Sequence, residues 1–343
     1  MSRAAVLTGL GAYLPPTVLP NDELASWWDR DPEWIRSRTG IERRHVLTPG
    51  SATSDLAVEA GRRALSCAGA DRAGAVVVAT NTPDRLSPAI APDVAYRLGL
   101  DTVAAVDVNA VCTGFVYALA TGAGLIAAGV AGSVLVIGAD AFTTVLDPDD
   151  LTTRPLFGDG AGAVLLRAGT PDEPGALGGF DLGSDGARRD LIEIPGGGSR
   201  QRSAGLPVKE QDTWFRMQGR AVFAQAVRRM SASAARAADL VGWPTGEVDR
   251  WVLHQANARI LAAVAREMDV PGDRFVSNIA AVGNTVAASI PLALRDGQAD
   301  GTLRAGQRVV LSAFGGGLTW GSAALRWPEL PGASAVAPDR CAP

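Results

Sequence analysis

Cysteine and histidine are scarce in this chain. Its 343 residues hold three cysteines, Cys67, Cys112 and Cys341, and two histidines, His45 and His254. The cysteine count is odd, and neither a CxxC pair nor a Cys/His ligand spacing occurs. A disulfide framework and a zinc or other metal site are therefore not indicated. Basic charge is not in excess either: 32 Lys and Arg against 36 Asp and Glu leave a net charge of -4. That excludes a general nucleic-acid binder, which needs a basic field, though a local basic patch for an acidic partner is permitted. A membrane-spanning run is also missing. The most apolar stretch, "GFVYALATGAGLIAAGVAGSVLVIGAD" (114–140), is interrupted at Gly129 and Gly132. It reads as a buried helix followed by a buried strand. The start, "MSRAAVLTGLGAYLPP", lacks the apolar core of a signal peptide and reads as a strand and a turn, so a cytoplasmic location is expected. Neither GxxxxGK[ST] nor GxGxxG after a first strand is present, so no nucleotide cofactor is indicated.

What is present suits a globular fold with a sizeable core: 47% hydrophobic and 20% charged residues. Apolar runs at 4–9, 75–80, 103–109, 133–138, 161–166, 251–254, 307–313 and 321–326 predict strands. Ala-rich periodic stretches at 53–68, 91–98, 113–129, 219–241, 256–268 and 285–296 predict helices. This alternation predicts an α/β fold with largely buried sheets. The chain also echoes itself. "GAVVVATNT" (74–82) resembles "DRWVLHQAN" (249–257), "GSVLVIGAD" (132–140) resembles "GQRVVLSAF" (306–314), and "GDGAGAVLL" (158–166) resembles "GLTWGSAAL" (317–325). Two similar layered halves are expected, 1–172 and 173–330, joined by a Gly/Pro-rich stretch at 168–212 that reads as loops. Residues 331–343 lose periodicity and are expected to be a flexible tail.

Four places can carry chemistry. Cys112 falls between the strand-like "VAAVDV" and a helix-like run. A helix N-terminus favours a thiolate and offers N–H groups to an oxyanion, so Cys112 is either a nucleophile or a small core residue. His254 ends the apolar run of "WVLHQANARI" (251–260), where α/β folds collect catalytic side chains, with Gln255 and Asn257 adding polarity that could line a cleft. Asn284, in "VGNTVAASIPLAL" (282–294), is a helix cap or a hydrogen-bond donor to a developing negative charge. The glycines of "AFGGGLTWG" (313–321) demand close backbone approach or unusual φ/ψ. A thiol, an imidazole, a carboxamide and a glycine loop are the parts of acyl-thioester chemistry.

Seven segments in order carry a family resemblance: "EWIRSRTGIERRHV" (33–46), "DVNAVCTGFVYAL" (107–119), "LFGDGAGAVLL" (156–166), "GSDG" (183–186), "LHQANARI" (253–260), "GNTVAASIPLAL" (283–294) and "FGGGLTWGSAAL" (314–325). By these the chain resembles the β-ketoacyl-acyl-carrier-protein synthase III family of the thiolase-like superfamily. The resemblance implies a five-layered α-β-α-β-α sandwich of two pseudo-duplicated halves, usually a homodimer. It implies that Cys112 takes an acyl group from acyl-CoA, and that His254 and Asn284 assist decarboxylation of malonyl-acyl carrier protein before a Claisen condensation. The step would start a fatty acid or prime a polyketide, with no cofactor beyond the substrates. The N–H groups of Cys112 and Gly316 would form the oxyanion hole. Trp34, Arg38 and Asn257 match positions that contact CoA and its pantetheine. Arg216, Arg259 and Arg266 fall at or near positions used for docking the carrier protein. Alternatives within the fold are a non-decarboxylating acyltransferase to oxygen or nitrogen, and a non-catalytic scaffold.

The chain departs from the family pattern in places. Leu151 stands where an arginine near CoA phosphate is common, with Arg154 as a possible substitute. Ser87 stands where the partner subunit commonly inserts a larger side chain into the acyl pocket, which implies a roomier pocket. Val286 replaces the usual serine of "GNTS".

Overall fold

The computed structural model describes residues 3–330. The expected tail at 331–343, with Cys341, lies outside the described residues. Two sheets organise the fold. The first contains β1 (Ala4–Tyr13), β2 (Ala75–Ala79), β3 (Ala104–Val108), β4 (Ser133–Asp140) and β5 (Gly160–Gly169), in the order β1-β5-β4-β2-β3. The second contains β6 (Leu177–Ser184), β7 (Arg250–Leu253), β8 (Arg308–Gly315) and β9 (Thr319–Arg326), in the order β7-β8-β9-β6. The main helices are α1 (Pro32–Thr39), α2 (Thr53–Cys67), α3 (Ala91–Arg97), α4 (Gly114–Ala127), α5 (Gly219–Leu240), α6 (Ala258–Glu267) and α7 (Ser289–Ala299).

These elements stack in five layers because both faces of each sheet are apolar. In β2, Ala75, Val77 and Ala79 face the central layer, while Val76 and Val78 face outward into a second cluster with Leu56, Ala60 and Ala64 of α2. All five residues of β2 are buried, as expected for a strand covered on both sides. The central layer is α4 and α7. Helix α4 carries no charged residue, and its Phe115 and Leu119 share one core with Val136 and Val164 of the first sheet and Leu311 and Leu325 of the second. Helix α5 covers the outer face of the second sheet, with Ala234 and Ala237 against Trp251, Leu253 and Val310, and α6 packs beside it.

The two sheets repeat one topology. A shift of 175 residues carries β2 onto β7, β4 onto β8 and α4 onto α7, and β5 corresponds to β9 at a shift of 159. Each of the three echoing sequence pairs takes the same place in its sheet. The pairings also repeat: β2–β4 and β7–β8 are parallel, β4–β5 and β8–β9 antiparallel. The counterpart of β3 shrinks to one parallel bridge between Trp251 and Phe275.

Two sequence expectations need correction. The loops expected through 168–212 contain β6, an edge strand of the second sheet. Its glycines hid it: Gly179 has φ +59°, and a Cβ there would lie 2.3 Å from the Ala237 carbonyl oxygen of α5. Helices expected to begin at 113 and 285 begin at Gly114 and Ser289, each preceded by a 3-10 turn, Val111–Thr113 and Val286–Ala288. Among the described residues no helix is long and apolar enough to cross a membrane. The stretch 114–140 is α4 followed by β4.

Candidate active site

Three turns, those of Cys112 after β3, His254 after β7 and Asn284 after a short helix at Ile279–Val282, meet in one cavity of about 560 Å³. Its wall includes Cys112, His254 and Asn284 together with Arg38, Asn257 and Arg259. The volume is in the usual range for a small-molecule site.

Cys112 sits in the 3-10 turn between β3 and α4, two residues before the helix proper starts at Gly114. Val111, just before it, has φ +49°. A β-branched residue there costs roughly 1–3 kcal/mol and persists only when its surroundings hold it. They do: Thr113 Nα donates to the Ala110 carbonyl at 3.0 Å, and Thr113 Oγ1 pairs with Thr319 Oγ1 at 2.9 Å, tying the turn to β9. The glycine loop closes over the same turn. A Cβ on Gly315 would lie 2.9 Å from the Cys112 nitrogen, and one on Gly316 3.2 Å from Val111 Cγ2. The expectation that the helix end lowers the thiol's pKa is not met. Burial pushes the Cys112 thiol well above its ordinary value, and the charge of Asp140 adds to the rise. The backbone N–H of Cys112 itself pulls the other way but does not win.

His254 follows β7 directly and is buried. Its Nα donates to the Ser312 carbonyl of β8 at 2.8 Å. Burial alone lowers the imidazole to a pKa of about 3, so it is neutral at physiological pH. Nδ1 is buried without a partner, which leaves Nε2 as the nitrogen that opens to the cavity. Gln255, expected to line a cleft, is instead wholly buried. Its Nα donates to Ser289 Oγ at 2.6 Å and its Nε2 to the Leu253 carbonyl at 2.8 Å, so it anchors the His254 turn to α7.

Asn284 closes its own turn through its side-chain oxygen. Its Oδ1 accepts the Val286 N–H at 3.0 Å, a local cap on a turn whose Val286 has φ +52°. With the oxygen so engaged, Nδ2 is left as the free donor. The backbone on both sides is pinned: Asn284 Nα donates to the Leu156 carbonyl at 2.8 Å, and Gly158 Nα donates to the Asn284 carbonyl at 3.0 Å. Val286 is buried in a cluster with Phe142, Phe157 and Phe215, whose rings lie 4.7–5.3 Å apart. That cluster packs against Cys112 and forms the cavity's apolar wall. These aromatics escaped sequence reasoning because isolated phenylalanines near strand ends carry no periodic signal.

Asp140, also unanticipated, ends β4. It is buried, and its carboxyl is pushed up to about 6 by burial. Four donors hold it: Asn81 Nα at 2.8 Å, Thr82 Oγ1 at 3.0 Å, Thr80 Oγ1 at 3.3 Å and Ala287 Nα at 3.0 Å.

At the cavity's outer end, Asn257 caps α6, its Oδ1 accepting from Arg259 Nα and Ile260 Nα at 2.9 and 3.2 Å. Helix α1 is capped by Asp31 and closed at Gly40. A Cβ on Gly40 would lie 2.5 Å from Ala258 Cβ, so α1 docks on α6 and brings Arg38 to the cavity. Trp34 is not part of the lining, but the Arg38 guanidinium lies 4.9 Å above its ring. Arg220 of α5 joins the wall and was not anticipated. Arg216 and Arg266 lie outside it, both exposed, with Arg216 held by the Gln211 carbonyl at 2.6 Å. Ser87 is exposed on the 81–90 loop and does not reach this cavity in one subunit. Arg154 is partnered within the chain. It donates to the Thr143 carbonyl at 3.1 Å and stacks over Trp27.

Comparison with known proteins agrees with this geometry. Residues 106–186 match the 3-oxoacyl-[acyl-carrier-protein] synthase III family, and residues 238–327 match its C-terminal family. The chain is 57% identical over 330 residues to β-ketoacyl-[acyl-carrier-protein] synthase III 5 of Streptomyces coelicolor, covering 96% of this chain and 99% of that one. Among solved structures, 3-oxoacyl-(acyl carrier protein) synthase III of Pseudomonas aeruginosa superposes with a TM-score of 0.90 at 53% identity, over 96% and 99% of the two chains. The priming β-ketosynthase of the R1128 polyketide pathway superposes at 0.88 with 31% identity, over 96% and 98%. The thiolase-like layers, the paired halves and this similarity over nearly the whole length lead to one conclusion: the chain belongs to the β-ketoacyl-acyl-carrier-protein synthase III family, condensing enzymes that initiate fatty acid or polyketide synthesis.

Proposed function

We propose that this enzyme is an acyltransferase that loads an acyl group from acyl-CoA onto Cys112 and condenses it with malonyl-acyl carrier protein. The observation that carries this reading is the meeting of the Cys112 thiol, the neutral His254 imidazole and the free Asn284 amide in one cavity. In the first half-reaction the Cys112 Sγ–acyl bond forms and the acyl–CoA thioester bond breaks. The thiol proton leaves with CoA as free thiol. In the second, the bond between the malonyl α-carbon and its carboxylate breaks. CO₂ leaves, and the electron pair moves onto the thioester as an enolate. His254 Nε2–H and Asn284 Nδ2–H donate to that oxygen. A neutral histidine suits this role, since it donates a hydrogen bond without giving up its proton. The enolate carbon then attacks the acyl carbonyl, whose oxygen is held by the N–H groups of Cys112 and Gly316, and the thiolate is expelled. The electrons are accommodated by thioesters throughout, so the chemistry requires no cofactor or metal.

The acyl chain lies against Phe142, Phe157 and Phe215, and Trp34, Arg38 and Asn257 take CoA and its pantetheine. Arg216, Arg259 and Arg266 offer basic contacts to an acidic carrier protein. We further assign a homodimer, with Ser87 of the partner subunit closing the acyl pocket. What supports it is the edge strand β3, where Val106 is 45% exposed, and the preceding loop, where Leu86 is 77% exposed and whose end Asp107 holds by accepting from Ile90 Nα and Ala91 Nα. Residues 1–172 supply the nucleophile and 173–330 the two donors. A cytoplasmic location is consistent with CoA and carrier-protein thioesters as substrates.

The test is intact-protein mass spectrometry with a panel of acyl-CoAs, then with malonyl-acyl carrier protein added. The expected result is an acyl adduct that Cys112→Ala abolishes and that malonyl-carrier protein discharges as a ketoacyl product. An adduct that is never discharged by the malonyl donor overturns the condensation. No adduct from any CoA overturns CoA priming.

A further inference from the structure

The strained turn that carries Cys112 occurs twice. A shift of 175 residues takes Asn109, Val111, Cys112 and Gly114 onto Asn284, Val286, Ala287 and Ser289. In both copies the asparagine Oδ1 accepts the N–H two residues on, at 3.4 and 3.0 Å. In both, the valine is left-handed, with φ +49° and +52°. A central helix starts three residues after each valine, at Gly114 and Ser289.

The same shift takes Asp140, the last residue of β4, onto Gly315, the last residue of β8. Here the copies part. Asp140 Oδ2 accepts the Ala287 N–H at 3.0 Å. Gly315 has nothing to offer: a Cβ there would already sit 2.9 Å from the Cys112 nitrogen and 3.1 Å from the Thr113 nitrogen. One half fills the N–H end of its turn with a carboxylate. The other keeps that end open.

We propose that Asp140 is a positioning residue for Asn284, locking the second turn so that the amide faces the cavity, while its glycine counterpart leaves the Cys112 N–H of the first turn to the substrate oxygen. Ala287 is 1% exposed, so water is not at hand to replace the carboxylate. The other Asp140 oxygen is held by Asn81 Nα, Thr82 Oγ1 and Thr80 Oγ1 at the end of β2, so the side chain cannot swing away. Asn284, from the second half, is thereby registered on the first sheet, which also presents Cys112. Without that anchor the left-handed Val286 relaxes and takes its neighbour Asn284 with it. The inference rests on the roles given above to Cys112 and Asn284.

The experiment separates the two half-reactions: the rate of Cys112 acylation by an acyl-CoA, and the release of CO₂ from malonyl-acyl carrier protein. Removing an aimed donor costs about 10²–10³ in rate, so Asp140→Ala is expected to slow decarboxylation by about 10². Asp140→Asn keeps the shape but turns an NH₂ toward one set of donors, and a loss of about 10 is expected. Acylation of Cys112 is unchanged or faster in both, since a negative charge near the thiol is gone. Gly315→Ala is expected to do the reverse, slowing acylation by about 10 or more while decarboxylation is retained. Thermal melts check folding, and Asp140→Asn with Gly315→Ala still decide if the alanine variant at 140 does not fold. Decarboxylation at the wild-type rate in Asp140→Asn overturns the proposal, as does a parallel fall of both half-reactions in the aspartate variants. A wild-type enzyme that fails to acylate Cys112 or release CO₂ would instead overturn the catalytic reading itself.

Discussion

His254 shows how one buried side chain links chemistry to stability. Its folded pKa is about 3 and its ordinary value 6.5. Below pH 6.5 the unfolded chain takes up a proton that the folded chain refuses, so stability present above 6.5 is lost as pH falls toward 3. Between pH 7 and 5 this one group costs the fold about 2 kcal/mol. Asp140 acts in the opposite sense: raised from 3.8 to about 6, it relieves the folded state as pH falls through 6. The two partly cancel, so the useful measurement is a difference. Urea denaturation of wild type and His254→Asn at pH 7 and pH 5 should show the variant losing about 2 kcal/mol less over that range. Parallel pH curves would mean that the imidazole is not buried neutral.

Among the elements, the seat of α2 on the first sheet depends on missing side chains. A Cβ at Gly11 would lie 2.3 Å from both the Ala60 carbonyl oxygen and the Ala64 nitrogen of α2, and one at Gly9 2.3 Å from the Ala64 carbonyl oxygen. Ala60 and Ala64 are themselves fully buried. Helix and strand touch backbone to backbone, and no rotamer can relieve an added methyl. Gly11→Ala is therefore expected to destabilise by about 1–3 kcal/mol, read as a lower melting temperature. An unchanged melting temperature would show that α2 sits farther from β1. Gly315 obeys the same rule at the active site, where the space kept open serves the Cys112 N–H instead of a packing contact.

For the molecule as a whole, the first sheet ends in an open edge. Among the described residues strand β3 pairs only with β2, and its Ala104 and Val106 are exposed. An apolar unpaired edge is a template for another chain unless charge blunts it. In the proposed homodimer a second copy covers this edge and the Ser87 loop of one subunit serves the acyl pocket of the other. Val106→Lys should convert a dimer to a monomer in sedimentation analysis, and acylation by longer primers should weaken with it. A dimer that survives the lysine would place the interface elsewhere.

Much of this protein is written in its sequence. The strands of both sheets except β6, the central helices, and the cavity's thiol, imidazole and amide were legible because buried strands and strand-end turns have local signatures. The duplication was legible because paired strands in each half repeat the same buried pattern. Other features had no local signal. Strand β6 was hidden because its glycines answer to a helix carbonyl across the layer. The Cys112 thiol is raised, not lowered, because desolvation by residues far along the chain outweighs the helix end. Asp140 and Gly315 read as an ordinary strand end and part of a glycine run. Only the packing of one half on the other makes the first a clamp for Asn284 and the second an opening for substrate, because a hydrogen bond or a clash between residues 147 or 203 positions apart exists only once the chain has folded.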